Sequence, residues 1–572
     1  MRSAGRLDVP ARREAWRRLT RDRFDVLVVG GGITGCGVAL DAASRGLATA
    51  LVEARDLASG TSSRSSKLIH GGLRYLEQLD FALVREALRE RELILTRLAP
   101  HLVRPVPFLY PLTHRGWERP YVGAGMTMYD TLGGARSLPR HRHLSRGAAL
   151  RLCPALRGDA LVGAVRYHDA QTDDARYTLS VARTAAHYGA TIRTSTEVVR
   201  LIRDAGRVVG AEVRDVENGD SAVIRAAVVV VCAGVWTDRV EALAGTRGRF
   251  DVRASKGVHL VVPRDRIASE VGLILRTEVS VLFVIPWGNH WIVGTTDSDW
   301  NLDLAHPAAS TADIDYLLAQ VNRVLAKPLT RRDIEGVYAG LRPLLAGESD
   351  ETSRLSREHA VSRPLPGLVT VAGGKYTTYR VMAIDAVGLA AQDLDRAVPD
   401  SVTDRLPLLG AEGYAALVNQ VGDLADAYRL PTWRVRGLLG RYGSLLPEML
   451  DAVADDATLL EPLPGADEYL RAEVRYGATH EGALHLDDLL TRRTRVSIEF
   501  PHRGINSAPA AAELVGDVLG WSAERAAAEI DVYRARVDAE RMSQEQADDL
   551  AADAARLLAP DTRAVSVGRA LD

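Results

Sequence analysis

An α/β fold is predicted, with a discontinuous Rossmann-type domain, an antiparallel β-sheet domain inserted into it, and an all-α domain at the C-terminus. Three observations point there. A strand, a glycine-rich turn, a helix and a second strand follow one another in residues 24–56. Apolar and polar residues alternate through hairpin-like stretches near 192–231 and 281–294. After about residue 411 the sequence is rich in Ala and Leu at helical spacing.

Composition sets the outer limits. A chain of 572 residues that is 47% hydrophobic can bury several cores. The net charge of −2, with both signs mixed along the chain, argues against a nucleic-acid binder held by phosphate neutralisation. No apolar run reaches the length of a membrane span, and the N-terminus has no signal-type apolar core, so a soluble or peripheral cytoplasmic protein is expected. Residues 1–23 hold eight Arg against three acids, with Trp16 among them. They read as a solvated helical arm, or as a weak contact with an anionic membrane surface. Cys36, Cys153 and Cys232 are too few and too unevenly spaced for a disulfide framework or a zinc site. Only four lysines occur, Lys67, Lys256, Lys327 and Lys375. Where they persist in so Arg-rich a chain, a compact ammonium is the expected requirement.

The first element is the apolar run Val26–Val29, the signature of a parallel strand covered on both faces. Gly30, Gly32 and Gly35 then give G-x-G-x-x-G, with Ile33 and Thr34 inside it; a helix runs to about Arg45, and "ATALVE" forms the next strand, closing on Glu53. Gly30 permits the tight turn, Gly32 lets backbone N–H groups approach a pyrophosphate, and Gly35 lets the helix sit close to the strand. The helix N-terminus favours negative charge, and Glu53 can accept hydrogen bonds from a ribose. A dinucleotide site is the reading; a non-binding tight turn is its bland rival.

Farther on, a helix capped near Asp173 and stopped by Gly189 leads into hairpins turning at Ala205-Gly206 and Asn218-Gly219, then into the buried run Val228–Val231 before Gly234. "VSVLFVIPWGNHWIVGTTD" turns at Gly288-Asn289. In "LVTVAGGKYTTYRVMAIDAVGLAA" a strand breaks at Gly373-Gly374 before a helix whose first turn would carry Lys375, Thr377 and Thr378, a second helix N-terminus for an electron-rich group. The expected partition is a basic arm at 1–23, a dinucleotide domain from 24–95, 166–255 and 351–394, a sheet domain for substrate from 96–165 and 256–350, a linker at 395–410, and helices at 411–572.

The segments "VVGGGITG", "SSKLIHGGLRYLE", "KGVHLVVP", "VLFVIPW", "VGTTD", "GLRPL" and "GGKYTTYR", in this order, resemble the FAD-dependent glycerol-3-phosphate dehydrogenases, and the likeness continues through "DLLTRRTRVSIEF". The resemblance implies an FAD-binding domain of the glutathione-reductase and D-amino-acid-oxidase kind. It implies oxidation of sn-glycerol 3-phosphate to dihydroxyacetone phosphate, with electrons passed to a quinone, or to oxygen, from a peripheral position on the inner face of the plasma membrane. The family often forms dimers, so a homodimer is an expectation.

By the same resemblance Ser65, Ser66 and the backbone of His70, Gly71 and Gly72 contact FAD, joined by Val198, Gly234, Gly374, Lys375, Thr377 and Thr378. Arg74 and Tyr75 face the substrate, and Arg342 is a second phosphate clamp. Arg342, flanked by apolar residues, is costly to bury without an anion, so it pairs with an internal carboxylate or awaits a ligand. His259 shares a strand face with Gly257 and Val261, and the resemblance makes it the base for the C2 hydroxyl. Lys375 would stabilise negative charge on reduced flavin or touch substrate. Asp297 either orients Arg or His or caps a turn. The rivals are an amino-acid or 2-hydroxy-acid oxidase on the same fold, with the arginines on a carboxylate, and a catalytically silent flavin-binding protein.

Overall fold

The apolar run Val26–Val29 lies at the centre of a sheet because both of its faces are covered. Val26 and Val28 pack into a core with the helices Ile33–Ser44, Asp174–His187 and Tyr379–Ala391. Leu27 and Val29 pack into a second core beneath the hairpin Thr196–Asp204 and Arg207–Asp215. The computed structural model describes residues 5–72, 80–132, 138–245, 251–277, 281–345 and 359–563.

The first sheet runs in the order His359–Leu365, Leu368–Gly373, Ser221–Val231, Arg23–Val29, Thr49–Val52, Thr191–Arg193. Its neighbours are parallel from Leu368–Gly373 onward, with Val28 opposite Leu51 and Val230. Three pieces of chain far apart in sequence thus build five parallel strands covered on both faces, while His359–Leu365 and the hairpin Thr196–Asp204 and Arg207–Asp215 join the same sheet antiparallel.

The second sheet runs Ser298–Trp300, Val252–Pro263, His290–Gly294, Val281–Trp287, Gly272–Arg276, Val103–Leu112, Gly163–Thr172, Leu68–Ile69. Gly336–Leu345 also pairs with Val252–Pro263, placing Ser255 opposite Arg342 and His259 opposite Tyr338. All its pairings are antiparallel except that of Gly272–Arg276 with Val103–Leu112. The step from one domain to the next expected at 165/166 falls inside the strand Gly163–Thr172, which stays in this sheet to its end. Leu68–Ile69, within the segment expected to contact FAD, is an edge strand of this sheet.

The N-terminal arm is neither a free arm nor a bare basic surface. Asp8 caps the helix Val9–Arg21, which buries Ala15 and Leu19. Arg12 pairs with Asp215 at 3.2 Å, and Arg193 lies 4.5 Å from the centre of the Trp16 ring. Beyond residue 413 the chain is helical, with Ala523–Glu545 its longest described helix; one short ribbon, Pro462–Leu463 with Ala466–Leu470, interrupts it. No helix among the described residues is long and apolar enough to cross a membrane.

Buried charge pairs fasten this C-terminal domain to the dinucleotide domain. Arg493 grips Asp56 through both terminal nitrogens at 2.7 and 2.8 Å, and Arg492 adds a third bond to it at 2.6 Å. Arg495 pairs with Asp173 and Asp174 at the head of the helix Asp174–His187, and Arg176 with Glu481. Breaking one such buried pair by removing a partner typically costs about 3–5 kcal/mol.

Candidate active site

A cavity of about 1380 Å³ opens between the two sheets, with Gly30, Gly32 and Glu53 at one end and His259 and Arg342 at the other. A volume beyond the roughly 300–1,000 Å³ of ordinary ligand pockets suits an extended dinucleotide.

The nucleotide end is made by the first βαβ unit. Gly30 sits at φ +114°, where a Cβ would lie 2.5 Å from the Cys232 carbonyl oxygen. A Cβ on Gly35 would collide with the carbonyl oxygen of Gly30, so this glycine shapes the turn from behind the cavity wall. Gly32 is the N-cap of Ile33–Ser44 and has no capping side chain of its own. Ser62 supplies one instead, its Oγ accepting the Ile33 N–H at 2.9 Å. Ser62 and Thr34 both line the cavity. Glu53, at the end of Thr49–Val52, accepts the N–H groups of Gly31 and Arg55 at 2.6 and 2.8 Å, and burial raises its pKa. Val198 and Gly234 border the same end. Glycines that admit a backbone approach, a helix start facing the space and a terminal carboxylate form a donor and acceptor set that fits an adenine dinucleotide.

Gly35→Val is therefore expected to give protein that elutes without bound flavin. The flavin-to-protein absorbance ratio measures this, and a full complement of cofactor would contradict it.

At the other end, His259 projects from Val252–Pro263 and is 2% exposed. Its ring stacks on Tyr338 with centroids 4.7 Å apart, and Nε2 lies 2.8 Å from the Ser66 hydroxyl. Nδ1 is buried with no hydrogen-bond partner among the described residues. Burial, then the charges of Arg342 and Lys67, hold the imidazole well below its ordinary pKa. A Cβ on Gly294 would strike the imidazole, so glycine at that position leaves the ring its space. The histidine is thus a buried imidazole whose surroundings favour its neutral form.

Arg342 donates from Nη2 to Thr295 Oγ1 at 3.0 Å and to the Thr296 carbonyl at 3.3 Å, while Nη1 stands 3.4 Å from both Ser255 Oγ and Asp297 Oδ1. Asp297 also accepts the Ser255 hydroxyl at 2.5 Å. The two alternatives for Arg342 therefore coexist: it has a carboxylate partner, held loosely, and it faces the cavity. Gly257 makes this arrangement fit, since a Cβ there would lie 2.5 Å from Arg342 Nη2.

The segment "SSKLIHGG" divides its labour. Ser65 donates its N–H and hydroxyl to Asp174 at 2.9 and 2.7 Å, and Ser66 meets His259; both line the cavity. Lys67 points away into protein, fully buried on Asp174 at 2.8 Å and flanked by the Trp287 and Tyr338 rings. The His70 N–H donates to Thr377 Oγ1 at 3.2 Å, and the Thr377 hydroxyl lies 3.3 Å from the His70 carbonyl, so loop and strand end are tied together. His70 and Gly72 line the cavity, whereas Gly71 turns its N–H to the Tyr129 hydroxyl at 2.9 Å and packs on Leu88 behind the wall. Arg74 and Tyr75 lie outside the described residues.

The third glycine break differs in detail from expectation. Gly373 and Gly374 have φ of +72° and +84°, and a single 3₁₀ turn, Tyr376–Thr378, precedes the helix Tyr379–Ala391. Lys375 therefore stands in extended backbone ahead of the turn and lines the cavity with Gly374 and Thr377. Thr378 is buried behind it, 3.4 Å from the Lys375 carbonyl. Sequence reasoning missed Ser62, Ser255 and Thr295. Ser62 lies three residues from a singled-out motif; Ser255 and Thr295 take their meaning only from a strand pairing.

A family model described as FAD dependent oxidoreductase matches residues 25–391, and one described as the C-terminal domain of alpha-glycerophosphate oxidase matches residues 401–526. The chain is 62% identical over 556 residues to glycerol-3-phosphate dehydrogenase 2 of Mycobacterium bovis, covering 97% of this chain and 95% of that relative. It is 61% identical over 560 residues to the glycerol-3-phosphate dehydrogenase of Mycobacterium leprae, covering 98% and 96%. Among solved structures, the glycerol-3-phosphate dehydrogenase from Bacillus halodurans complexed with FAD superposes with a TM-score of 0.76 at 28% identity, over 93% of this chain and 97% of that one.

Proposed function

The chain belongs to the FAD-dependent glycerol-3-phosphate dehydrogenase family, and from that premise we propose that it oxidises sn-glycerol 3-phosphate to dihydroxyacetone phosphate and passes the electrons to a quinone. FAD is its cofactor. The observation that carries the reading is the placement of a neutral, buried His259 and the Arg342 guanidinium in one cavity, at the end opposite the nucleotide-binding turn.

FAD, when bound, supplies the acceptor for the hydride lost from C2. The protein's part is binding, orientation and the proton. Arg342 offers a forked cation to the substrate phosphate, with Ser255, Thr295 and Asp297 fixing its direction. Arg74, by its place in the motif, supplies the second cation, and Lys375 offsets negative charge that develops at the far side of the cavity. His259 accepts the C2 hydroxyl proton at its unprotonated ring nitrogen; in the imidazolium that forms both ring nitrogens carry hydrogen, and the Ser66 hydroxyl accepts from Nε2. An imidazolium beside Arg342 and Lys67 is unfavourable, so the proton is readily passed on and the base reset. The bound phosphate dianion softens that repulsion while substrate is present, matching basicity to occupancy.

Support for a quinone comes from the cavity rim. Phe81, Tyr121 and Met128 line it and are 39%, 53% and 39% exposed, with the Trp117 ring tilted against Tyr121 at a centroid distance of 6.0 Å. Exposed apolar side chains at the mouth of a redox site suit an apolar acceptor better than a water-soluble one.

The decisive experiment is anaerobic. Glycerol 3-phosphate should bleach the oxidised flavin band, and a short-chain quinone should restore it faster than air. If a 2-hydroxy acid bleaches it and glycerol 3-phosphate does not, the carboxylate rival replaces this reading. The pH profile is a second check. With burial and the charges of Arg342 and Lys67 holding the His259 pKa below the ordinary imidazole range, an acid limb of kcat/KM at about pH 6 should belong to the second ionisation of the substrate phosphate. It should then move upward with the less acidic phosphonate analogue, whereas a limb fixed in pH would assign it to the enzyme.

A further inference from the structure

A second, smaller cavity of about 60 Å³ lies behind the cofactor loop, between it and the C-terminal helices, and its lining is dominated by arginine: Arg64, Arg492, Arg495, Arg503, Arg536 and Arg556. Against these stand two lining carboxylates, Asp487 and Glu540. Arg495 is matched by Asp173 and Asp174, and Arg492 by Asp56 and Asp488. Glu540 is shared by Arg503 and Arg556, and Asp487 is engaged by Arg492 and, at 3.7 Å, by Arg503. Four guanidiniums, Arg64, Arg503, Arg536 and Arg556, are thus left with two carboxylates, an excess of two positive charges around the cavity. Nearby Asp561 is taken by Arg55 and His306.

The individual side chains bear the marks of a missing counter-charge. Arg536 is 5% exposed, yet its only hydrogen bond among the described residues runs from Nη1 to the Ala559 carbonyl at 3.4 Å, and Nη2 has none. Arg503 Nε is likewise buried without a partner. Arg64 reaches the Ala305 carbonyl at 3.2 Å and has no carboxylate among the described residues. Burial and then the charge of Arg556 pull Arg536 down to about 10 and Arg64 to about 9. Guanidiniums this deep are normally paired, because the cost of an uncompensated buried charge is several kcal/mol.

We propose that this cavity is a site for one small tetrahedral oxyanion, hydrogenphosphate or sulfate, held by Arg64, Arg536, Arg503 and Arg556. A dianion matches the excess of two charges, and forked N–H pairs suit tetrahedral oxygens. The volume admits a single such ion and nothing as large as the organic substrate. Its effect is structural and reaches the active site by a short path. Arg64 lines both cavities and immediately precedes Ser65 and Ser66, the latter bonded to His259. The anion therefore pins the cofactor loop to the helices Ala523–Glu545 and Asp549–Arg556, from which Arg536 and Arg556 project.

The test uses crystals of the FAD-loaded enzyme soaked in selenate, a tetrahedral dianion with anomalous signal, and separately in bromide. The expected result is a selenate peak within hydrogen-bond reach of Arg536 and Arg64. A peak only at Arg342, a bromide peak with no selenate peak, or water alone overturns the proposal. In solution, sulfate titrated at constant ionic strength into the Arg342→Met holoenzyme, which removes the substrate clamp as a competing site, should raise the unfolding midpoint saturably by roughly 2–4 °C. Arg342→Met combined with Arg536→Gln should lose that rise. A linear rise shared by both proteins is the ordinary effect of an excluded salt and counts against the site. If the Arg536 variant does not fold, the soak decides alone.

Discussion

Replacing His259 by glutamine is expected to lower kcat by about 10²–10⁴-fold, the usual contribution of a positioned general base, with KM changed by less than about threefold. The reason lies in the ring's surroundings. It is buried where its neutral form is favoured, aligned by Ser66 and stacked on Tyr338, so it is poised for proton transfer and bears little of the substrate's binding. Glutamine keeps most of the volume and can still meet the Ser66 hydroxyl, so the flavin spectrum and the unfolding midpoint serve as controls for an intact fold. Stopped-flow reduction of the flavin by glycerol 3-phosphate is the measurement, since it isolates the step in which the proton leaves. Wild-type reduction in the variant would move the base elsewhere.

Arg342→Met should act on the other kinetic constant. Two charge-assisted hydrogen bonds to a phosphate dianion are together worth about 3–4 kcal/mol, so kcat/KM for glycerol 3-phosphate should fall by roughly 10²–10³-fold. The slow rate with uncharged glycerol should stay within about twofold, because glycerol has no group for the clamp. Discrimination between the two alcohols then collapses by the same factor, and the ratio of the two rates measures it. The substitution also takes the guanidinium away from Asp297, and Arg342→Lys separates that loss from the loss of the fork. A lysine keeps the charge beside Asp297 but cannot bind in bidentate fashion, so it should recover part of the rate and not all of it. Equal loss on glycerol and glycerol 3-phosphate would mean that Arg342 maintains the fold of the site and does not grip the phosphate.

What could be read from the sequence follows the distance over which each feature is decided. The first βαβ unit was legible because strand, glycines, helix and acid lie within about thirty residues and each is explained locally. The turns at Ala205-Gly206 and Gly288-Asn289 close the hairpins expected of them, with Asp204 opposite Arg207 and Trp287 opposite His290. His259 and Lys256 face opposite ways along their strand, as period-two geometry requires, with Lys256 on Asp313 and Asp549. The lysines that survive in this Arg-rich chain include two fully buried ones, Lys67 and Lys256, each directed at acids in a space that suits an ammonium.

Other features depended on long-range contacts. The Lys67–Asp174 pair joins residues 107 positions apart, and the Arg493–Asp56 pair 437 apart, and neither leaves a local pattern. The start of the third helix was misplaced by one turn because Gly373-Gly374 marks a break without specifying whether a 3₁₀ turn follows. The N-terminal helix looked like a solvated arm because its buried stripe is only Ala15 and Leu19, and its partners Asp215 and Arg193 come from a distant hairpin and strand.

The ion pairs across the C-terminal boundary bear on how such a protein can be taken apart. Asp56, Asp173 and Asp174 sit at the heart of the nucleotide-binding half, yet the cations that neutralise them, Arg492, Arg493 and Arg495, belong to the helical half. A chain cut near residue 400, or grafted there onto a foreign tail, would take both arginines from the buried Asp56 and the arginine from Asp173, and would leave Asp174 with Lys67 as its cation. The break in the sequence that looks most like a seam is therefore the wrong place to build a chimera, and a transplant would have to carry the complementary arginines with it.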